Sequence, residues 1–235
     1  MQKLEQLYEG KAKKVFKTDI EDQYLIQYKD DATAFDGKKK GTIDDKGIVN
    51  NLMSAKLFQL LAEKGIPTHF VEVVDDRSML VKAVEIVKVE VIVRNISTGS
   101  LVRRLGVEEY KVLKPVVLEF CYKSDELSDP LMNEYHILAM ELANEAEIQT
   151  MKDITFKVNE ILKEIYLKLN LTLVDFKLEF GRFKGQILLA DEISPDTCRL
   201  WDIDTKERMD KDRFRKDLGN VKATYQEVLR RVQTL

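Results

Sequence analysis

Charged residues alternate with apolar ones in the segment Val174–Phe180, which reads VDFKLEF. In an extended strand successive side chains point to opposite faces, so Asp175, Lys177 and Glu179 share one face and the apolar residues share the other. One face is therefore apolar and the other fully ionisable. A surface strand with a solvated face shows the same alternation, and the segment alone does not separate a functional face from a solvated one.

The strand that follows supplies a further carboxylate. A three-residue loop at 184–186 would place Glu179 directly opposite Asp191, with Cβ atoms about 5 Å apart. Two like charges at that distance destabilise a hairpin unless they are protonated or bridged, and a small divalent cation is a natural bridge. A two-residue loop would instead place Glu179 opposite Ala190, so the metal site depends on the register.

A candidate anion site follows the strand Val87–Val93, in which valines alternate with other residues. Arg94 ends this strand, and a short flexible loop, 95–100, leads into the predicted helix Leu101–Leu105. A strand-end arginine and the free N–H groups of a helix N-terminus suit a phosphate monoester. An ordinary serine or threonine N-cap would explain the loop without any ligand.

Lysines cluster near the beginning of the chain, in the segment 8–15, YEGKAKKV. The segment predicts a tight strand–turn–strand with Lys11 and Lys13 on the same side, able to close over a polyphosphate. It contains neither a GxGxxG loop nor a Walker A sequence, and lysine-rich hairpin turns are common. Two polar clusters, 30–36 with 38–40 and 123–129, are predicted loops, either mobile lids or solvated segments.

Composition narrows the class of protein. The chain has 235 residues, 44% of them hydrophobic, and 38 basic against 41 acidic residues give a net charge of -3. This balance supplies no attraction for nucleic acid or an anionic membrane. Cys121 and Cys198 are too few for a disulfide framework, the first ten residues are too polar for a secretory signal, and no apolar run is long enough to span a membrane. We therefore expect a cytoplasmic protein.

Histidine is too scarce for several kinds of site. His69 and His136 are the only two in the sequence, so a three-histidine zinc site is impossible, and neither lies in a triad or HExxH setting. Both are predicted to be structural. Because carboxylates are plentiful, a metal would be magnesium or manganese bound through oxygen.

Periodicity predicts short strands around one helix in the first 80 or so residues and a second unit of strands and helices after them. The predicted strands are 7–9, 14–17, 24–28, 68–74, 79–82, 87–93, 173–181 and 186–193. The predicted helices are 49–64, 101–105, 145–169, 211–218 and 221–232, and Asn144 with Glu147 predicts a capping box. The rhythm of the elements places a boundary near residue 83.

Seven segments are highly specific when they occur together and in order. They are YEGKAK at 8–13, AFD at 34–36, DKGIVNN at 45–51, RNISTGSLVRRLG at 94–106, VDFKLEFG at 174–181, DEISPDTCRLWD at 191–202 and DKDRFR at 210–215. With them the chain resembles the phosphoribosylaminoimidazole-succinocarboxamide synthases, or SAICAR synthetases, nearly end to end. Departures are small, such as Thr33 where serine is frequent.

The resemblance implies an α+β, ATP-grasp-like fold with mainly antiparallel sheets, in which a nucleotide-clamping subdomain, 1–82, and a larger substrate- and metal-binding subdomain, 83–235, clamp ATP. It implies a homodimer. It also implies that the phosphoribosyl aminoimidazole carboxylate CAIR is condensed with L-aspartate, consuming ATP and giving SAICAR, ADP and phosphate.

The resemblance also implies roles for individual residues. Those expected at ATP or its magnesium ion are Lys11, Ala12, Lys13, Val15, Val81, Lys82, Glu179 and Asp191, of which Glu179 and Asp191 would bind the metal. Those expected at the substrates are Arg94, Ser100, Lys123, Asp129, Asp175, Lys177, Asp196, Arg199 and Arg215. Within these sets Lys11, Lys13, Lys177 and Asp175 are the candidate catalytic residues.

Other functions use similar parts. A small-molecule kinase would need the same lysine turn, metal carboxylates and phosphate clamp, but it would release ADP without aspartate. A non-catalytic nucleotide-binding module would bind ATP without turnover. Nucleic-acid binding is disfavoured by the net charge and would require a steep salt dependence.

Overall fold

The computed structural model of the chain describes residues 1–34 and 38–235. Phe35 and Asp36 of the AFD segment lie outside the described residues. Each strand ladder in the described ranges is antiparallel, and six helices accompany them, so the predicted α+β class is confirmed.

The first part of the chain forms a five-stranded sheet, a small hairpin and one long helix. The elements are β1 Lys3–Glu9, β2 Lys13–Thr18, β3 Gln23–Tyr28, β4 Asp31–Ala34, β5 Lys39–Thr42, α1 Lys46–Glu63, β6 Phe70–Asp75 and β7 Ser78–Lys82. The sheet has the order β1-β2-β3-β7-β6, and β4 pairs with β5. The five predicted strands of this part are all present, whereas β4 and β5 were not predicted.

The second part forms a six-stranded sheet and five helices. The elements are β8 Glu85–Ile96, α2 Gly99–Leu105, β9 Val112–Tyr122, β10 Leu131–Met132, α3 Glu134–Ala139, α4 Glu145–Lys168, β11 Leu171–Phe183, β12 Gln186–Ala190, β13 Cys198–Asp202, α5 Asp212–Arg215 and α6 Val221–Val232. The order is β10-β9-β8-β11-β12, and β13 pairs with the beginning of β11. The sequence did not predict β9, β10, α3 or β13.

Local sequence sets the ends of the two long helices. Gly65, with φ of +79°, ends α1, and the backbone N–H groups of Gly65 and Ile66 donate to the carbonyls of Ala62 and Leu61, which is a Schellman motif. At the start of α4 the side chains of Asn144 and Glu147 each accept from the other's backbone N–H, so the predicted capping box is confirmed.

One hydrophobic core joins the two parts of the chain. Met53 and Phe58 of α1 belong to the same buried cluster as Val158 of α4 and Phe176 of β11. The two large sheets divide between residues 82 and 85, but α1 contributes to the core of the second part. The subdomain boundary at 82/83 therefore stays a prediction. No helix among the described residues has the length and apolar character needed to cross a bilayer.

Both histidines make structural contacts. The Nδ1 atom of His136 accepts from the Asn133 backbone N–H at the start of α3. His69 is 2% exposed, and its ring packs edge-on against Phe58 with centroids 5.2 Å apart. Burial, together with the charges of Lys13 and Lys82, lowers the pKa of His69 to about 3.

His69 should make stability depend on pH. In the unfolded chain its imidazole takes up a proton as the pH falls below its usual pKa of 6.5, but the folded chain resists protonation until about pH 3. As the pH is lowered from about 6.5 to about 3, the free energy of unfolding should therefore fall by up to ~1.4 kcal/mol per pH unit. His69→Gln should lose this component in urea unfolding measured across the window. The same pH dependence in both proteins would contradict the assignment.

Candidate active site

The hairpin between β11 and β12 has a two-residue turn. Phe183 pairs with Gln186, and the turn residues Lys184 and Gly185 have φ of +49° and +79°, as a tight primed turn requires. Glu179 consequently lies opposite Ala190. The predicted three-residue loop and the direct Glu179–Asp191 opposition are wrong, because Lys184 takes a left-handed conformation that a lysine does not signal.

A carboxylate does lie directly opposite Glu179, but on β8, the strand that pairs with the edge of β11 away from β12. Glu179 pairs directly with Glu90 of β8, and Lys177 Nζ lies 2.6 Å from Glu90 Oε1 and 2.9 Å from Glu179 Oε1. Burial raises the pKa of Glu90, the Lys177 charge lowers it in part, and the Glu179 charge raises it further. The two like charges are thus held together by a lysine. Sequence reasoning missed Glu90.

Asp191 lies in the same electrostatic cluster, although it is not opposite Glu179. Lys13 Nζ is 2.6 Å from Asp191 Oδ1, and Lys123 Nζ is 2.9 Å from Glu179 Oε1. Burial raises the pKa of Asp191, but the charges of Lys13, Lys177 and Lys123 outweigh it and lower this pKa to about 2. Burial and the Asp191 charge raise the pKa of Glu179, and Lys177 with Lys123 lowers it below its usual value. Both carboxylates are therefore ionised at neutral pH.

These carboxylates suit magnesium only in combination with another ligand. Glu179 and Asp191 offer the hard oxygens that magnesium prefers. In residues 1–34 and 38–235, however, no three side chains among His, Cys, Asp and Glu group closely enough to hold a metal. Magnesium is commonly bound by one or two carboxylates together with substrate phosphates. The donor set thus fits a magnesium ion that arrives with a nucleotide.

The other end of the charged face of β11 is an arginine cluster. Asp175 Oδ2 accepts from Arg94 Nη1 at 2.8 Å and from Arg199 Nη1 at 2.7 Å. Arg94 also donates to Ser100 Oγ at 2.8 Å. Asp175 and Glu179 are 4% and 3% exposed, so the interpretation of a solvated face is wrong.

The start of α2 closes against these arginines. Gly99 has φ of +62°, and a Cβ added there would lie 2.9 Å from Arg199 Nη2. Glycine is therefore required both for the backbone conformation and for the close approach of the guanidinium.

A cavity of about 610 Å³ extends along this face. It brings together all the predicted substrate residues except Lys123, and Lys11 also lines it. The predicted members are Arg94, Ser100, Asp129, Asp175, Lys177, Asp196, Arg199 and Arg215. Their individual roles stay predictions. Glu179 and Asp191 do not line this cavity.

The predicted nucleotide residues lie on the first sheet and its turn. Lys11 is exposed and pairs with Asp125 at 2.8 Å, whereas Lys13 is buried against Asp191. Lys82 Nζ donates to the Thr68 carbonyl. The remaining three are Ala12 in the turn, Val15 on β2 and Val81 on β7, where Val81 is buried.

Asp196 is bound by the protein on both of its carboxylate oxygens. Oδ2 accepts from Lys46 Nζ at 2.8 Å and from Lys211 Nζ at 3.4 Å, and Oδ1 accepts from the Tyr225 hydroxyl at 2.7 Å. Burial raises the pKa of Asp196, but Lys211 and Lys46 outweigh it and hold the pKa well below its usual range. Lys46, which is 1% exposed, was not singled out from the sequence.

Lys177 should stabilise the folded protein, because it holds the facing carboxylates of Glu90 and Glu179 together. Lys177→Met would leave Glu90 facing Glu179 with both carboxylates at most 7% exposed, and breaking a buried pair in this way costs about 3–5 kcal/mol. Adding Glu90→Gln should restore part of the loss in urea unfolding. Lys163→Met, which breaks a half-exposed pair with Glu160, should cost less than about 1 kcal/mol. Equal losses for the two lysine variants would contradict the arrangement.

Comparisons with known proteins point to one family along nearly the whole chain. The SAICAR synthetase family model matches residues 6–232. A phosphoribosylaminoimidazole-succinocarboxamide synthase of Caldanaerobacter subterraneus subsp. tengcongensis is 62% identical over 233 residues, 99% of each chain. One of Coprothermobacter proteolyticus is 59% identical over 233 residues, again 99% of each.

Solved structures agree as well. The crystal structure of this synthase from Ehrlichia chaffeensis superposes with a TM-score of 0.96 at 43% identity, covering 98% of this chain and 99% of the other. A SAICAR synthetase in complex with ADP superposes with a TM-score of 0.94 at 46% identity, covering 98% of each chain. The chain therefore belongs to the SAICAR synthetase family.

Proposed function

We propose that the chain is the ATP-dependent ligase that condenses CAIR with L-aspartate to give SAICAR, ADP and phosphate in de novo purine biosynthesis. The observation that carries the proposal is one cavity lined at one end by Arg94, Ser100 and Arg199 and along its wall by Lys177. The arginine end suits a phosphate monoester. Lys177 would supply positive charge to the carboxylate and to the transferring phosphoryl group.

The chemistry requires an activated carboxylate. A carboxylate is a poor electrophile, so ATP transfers its γ-phosphoryl group to a carboxylate oxygen of CAIR and releases ADP. The neutral amine of aspartate then attacks the acyl carbon, the carbon–oxygen bond to phosphate breaks as the amide bond forms, and the nitrogen loses a proton to solvent while phosphate leaves. The protein contributes mainly alignment and electrostatic stabilisation of the developing charge.

The nucleotide would lie against the first sheet and its turn. A related SAICAR synthetase binds ADP, which supports a nucleotide site in this chain. We assign to ATP the residues Lys11, Ala12, Lys13, Val15, Val81 and Lys82. Glu179 and Asp191 would hold the magnesium ion, whose chemistry would be to neutralise phosphate charge. In the structure Lys13 pairs with Asp191 and Lys123 with Glu179.

CAIR would lie along the cavity with its 5′-phosphate at the arginine end. Arg94, Ser100 and Arg199 would bind the phosphate, with Arg215 nearby. Asp175, Lys177 and Asp196 would line the reacting region, where Asp175 acts by orienting the arginines it binds. Lys123 and Asp129 would border the aspartate pocket.

Both Lys123 and Asp129 belong to one loop that reaches the nucleotide turn. The Asp129 side chain accepts a hydrogen bond from the Ser124 N–H, and Asp125 pairs with Lys11.

We further propose that the protein is a cytoplasmic homodimer that requires neither nucleic acid nor a membrane.

A coupled ADP-release assay tests the function. With CAIR, ATP, magnesium and aspartate all present, the protein should release ADP and form SAICAR, and omission of aspartate should abolish SAICAR formation. If ADP appears without aspartate while a new phosphate ester accumulates, the protein is a small-molecule kinase instead. If ATP binds but no product forms under any combination, it is a non-catalytic nucleotide-binding module.

The two carboxylates assigned to magnesium should be essential for turnover. Glu179→Gln and Asp191→Asn should each lower kcat by about 100-fold or more, because the charge that would position the metal and the triphosphate is lost. Glu160→Gln, which makes the same change at an exposed residue of α4, is the control and should leave kcat unchanged. Near-normal rates for either site variant at saturating magnesium would remove the metal assignment.

A further inference from the structure

An alternating chain of charged side chains runs through the arginine end of the cavity, and five of its seven members, Arg94, Asp175, Arg199, Asp212 and Arg215, line the cavity. Each arginine in it is bound by at least one carboxylate, and each carboxylate joins two arginines. In spatial order the members are Arg104, Glu119, Arg94, Asp175, Arg199, Asp212 and Arg215. Asp212 is the one that lies between Arg199 and Arg215, and no role was assigned to it from the sequence.

Both oxygens of Asp212 are committed to these arginines. Oδ2 accepts from Arg199 Nε at 3.1 Å, and Oδ1 accepts from Arg215 Nη1 at 2.6 Å. The side chain of Asp212 is 4% exposed. Each of its two carboxylate oxygens therefore holds one of the two arginines.

The backbone of Asp212 is fixed as well. Its N–H donates to Asp210 Oδ1 at 2.6 Å, and Asp210 Oδ2 accepts from the Leu200 N–H of β13 at 2.8 Å. Asp210 is fully buried. The carboxylate of Asp212 is thus anchored to the strand that also carries Arg199.

The guanidinium of Arg199 lies against Gly99 at the start of α2. Its Nε is used by Asp212 and its Nη1 by Asp175, while Nη2 has no hydrogen-bond partner in the described parts of the chain. A Cβ added to Gly99 would lie 2.9 Å from Nη2 and 3.1 Å from both Cζ and Nη1, so the guanidinium approaches closely the glycine that precedes Ser100. A guanidinium fixed on two sides presents its remaining N–H groups in one direction, which is what bidentate recognition of a phosphate requires.

We propose that Asp212 is a positioning residue for the substrate's phosphate: it holds the guanidinium groups of Arg199 and Arg215 in the orientation that binds a phosphate monoester. The proposal rests on the proposed function of this cavity. It makes Asp212 act through the arginines, without touching the substrate.

If Asp212 positions the arginines, removing its charge should change the affinity for an anion in the direction opposite to that expected from net charge alone. Asp212 brings a negative charge into an anion site, so its removal should strengthen anion binding if net charge alone decides the affinity. If orientation decides, removal should weaken binding, because the arginines lose the contacts that fix them and must be ordered by the ligand itself. The two explanations are therefore separated by one substitution.

The test is binding of ribose 5-phosphate, measured by calorimetry, together with steady-state kinetics. Asp212→Asn should raise the dissociation constant of ribose 5-phosphate and the KM for CAIR by about tenfold or more, with the KM for ATP unchanged. Glu227→Gln removes a carboxylate that also binds two arginines, Arg230 and Arg231, but lies outside the cavity lining, and it should leave all three values unchanged.

Ribose 5-phosphate binding to Asp212→Asn that is equal to or tighter than wild type would overturn the proposal. If Asp212→Asn does not fold, Asp212→Glu carries the same test, because it keeps the charge but displaces the carboxylate by one methylene. It should weaken binding, and unchanged binding would overturn the proposal. A wild-type protein that binds ribose 5-phosphate but forms no SAICAR would refute the proposed function alone. A wild type that does not bind the probe would refute the phosphate clamp and the role of Asp212 together.

Discussion

The burial of the charged face of β11 determines how the site is arranged. An ionised side chain removed from water costs several kcal/mol unless it is paired and hydrogen-bonded. Asp175 is therefore held by Arg94 and Arg199, and Glu179 by Lys177 and a second lysine. Apart from Lys177, which lies on β11 itself, the partners come from β8, β13 and the loop after β9, because these elements border β11 or its charged face. A polar groove suited to anionic ligands follows directly from this pairing.

Two buried lysines of the first part of the chain pair with carboxylates of the second part. Lys13 of β2 binds Asp191, and Lys46 of α1 binds Asp196, which Tyr225 of α6 also holds. Since α1 also contributes to the large hydrophobic core, the first sheet is fixed relative to the second by both apolar and ionic contacts. A nucleotide at the lysine turn and a substrate in the cavity would accordingly be aligned by the resting fold.

Local patterns in the sequence predicted the elements better than the contacts between them. Period-2 alternation identified β11 and the face that Glu179 shares, because this pattern depends only on neighbouring residues. The register of the hairpin was wrong because Lys184 adopts a positive φ without any sign in its side chain. Glu90 was missed because it meets Lys177 from 87 positions away. Lys46 resembles a surface lysine at a helix start, and only tertiary packing buries it. The family resemblance supplied most of the candidate site, which periodicity alone could not.

A crystal structure of the chain with magnesium and a non-hydrolysable ATP analogue tests the central claim most directly. We expect a cation bound between the carboxylates of Glu179 and Asp191, beside the triphosphate, with Lys13 and Lys123 moved from their present ion pairs. A cation bound elsewhere, with both lysine pairs unchanged and the two carboxyl groups directed apart, would contradict it.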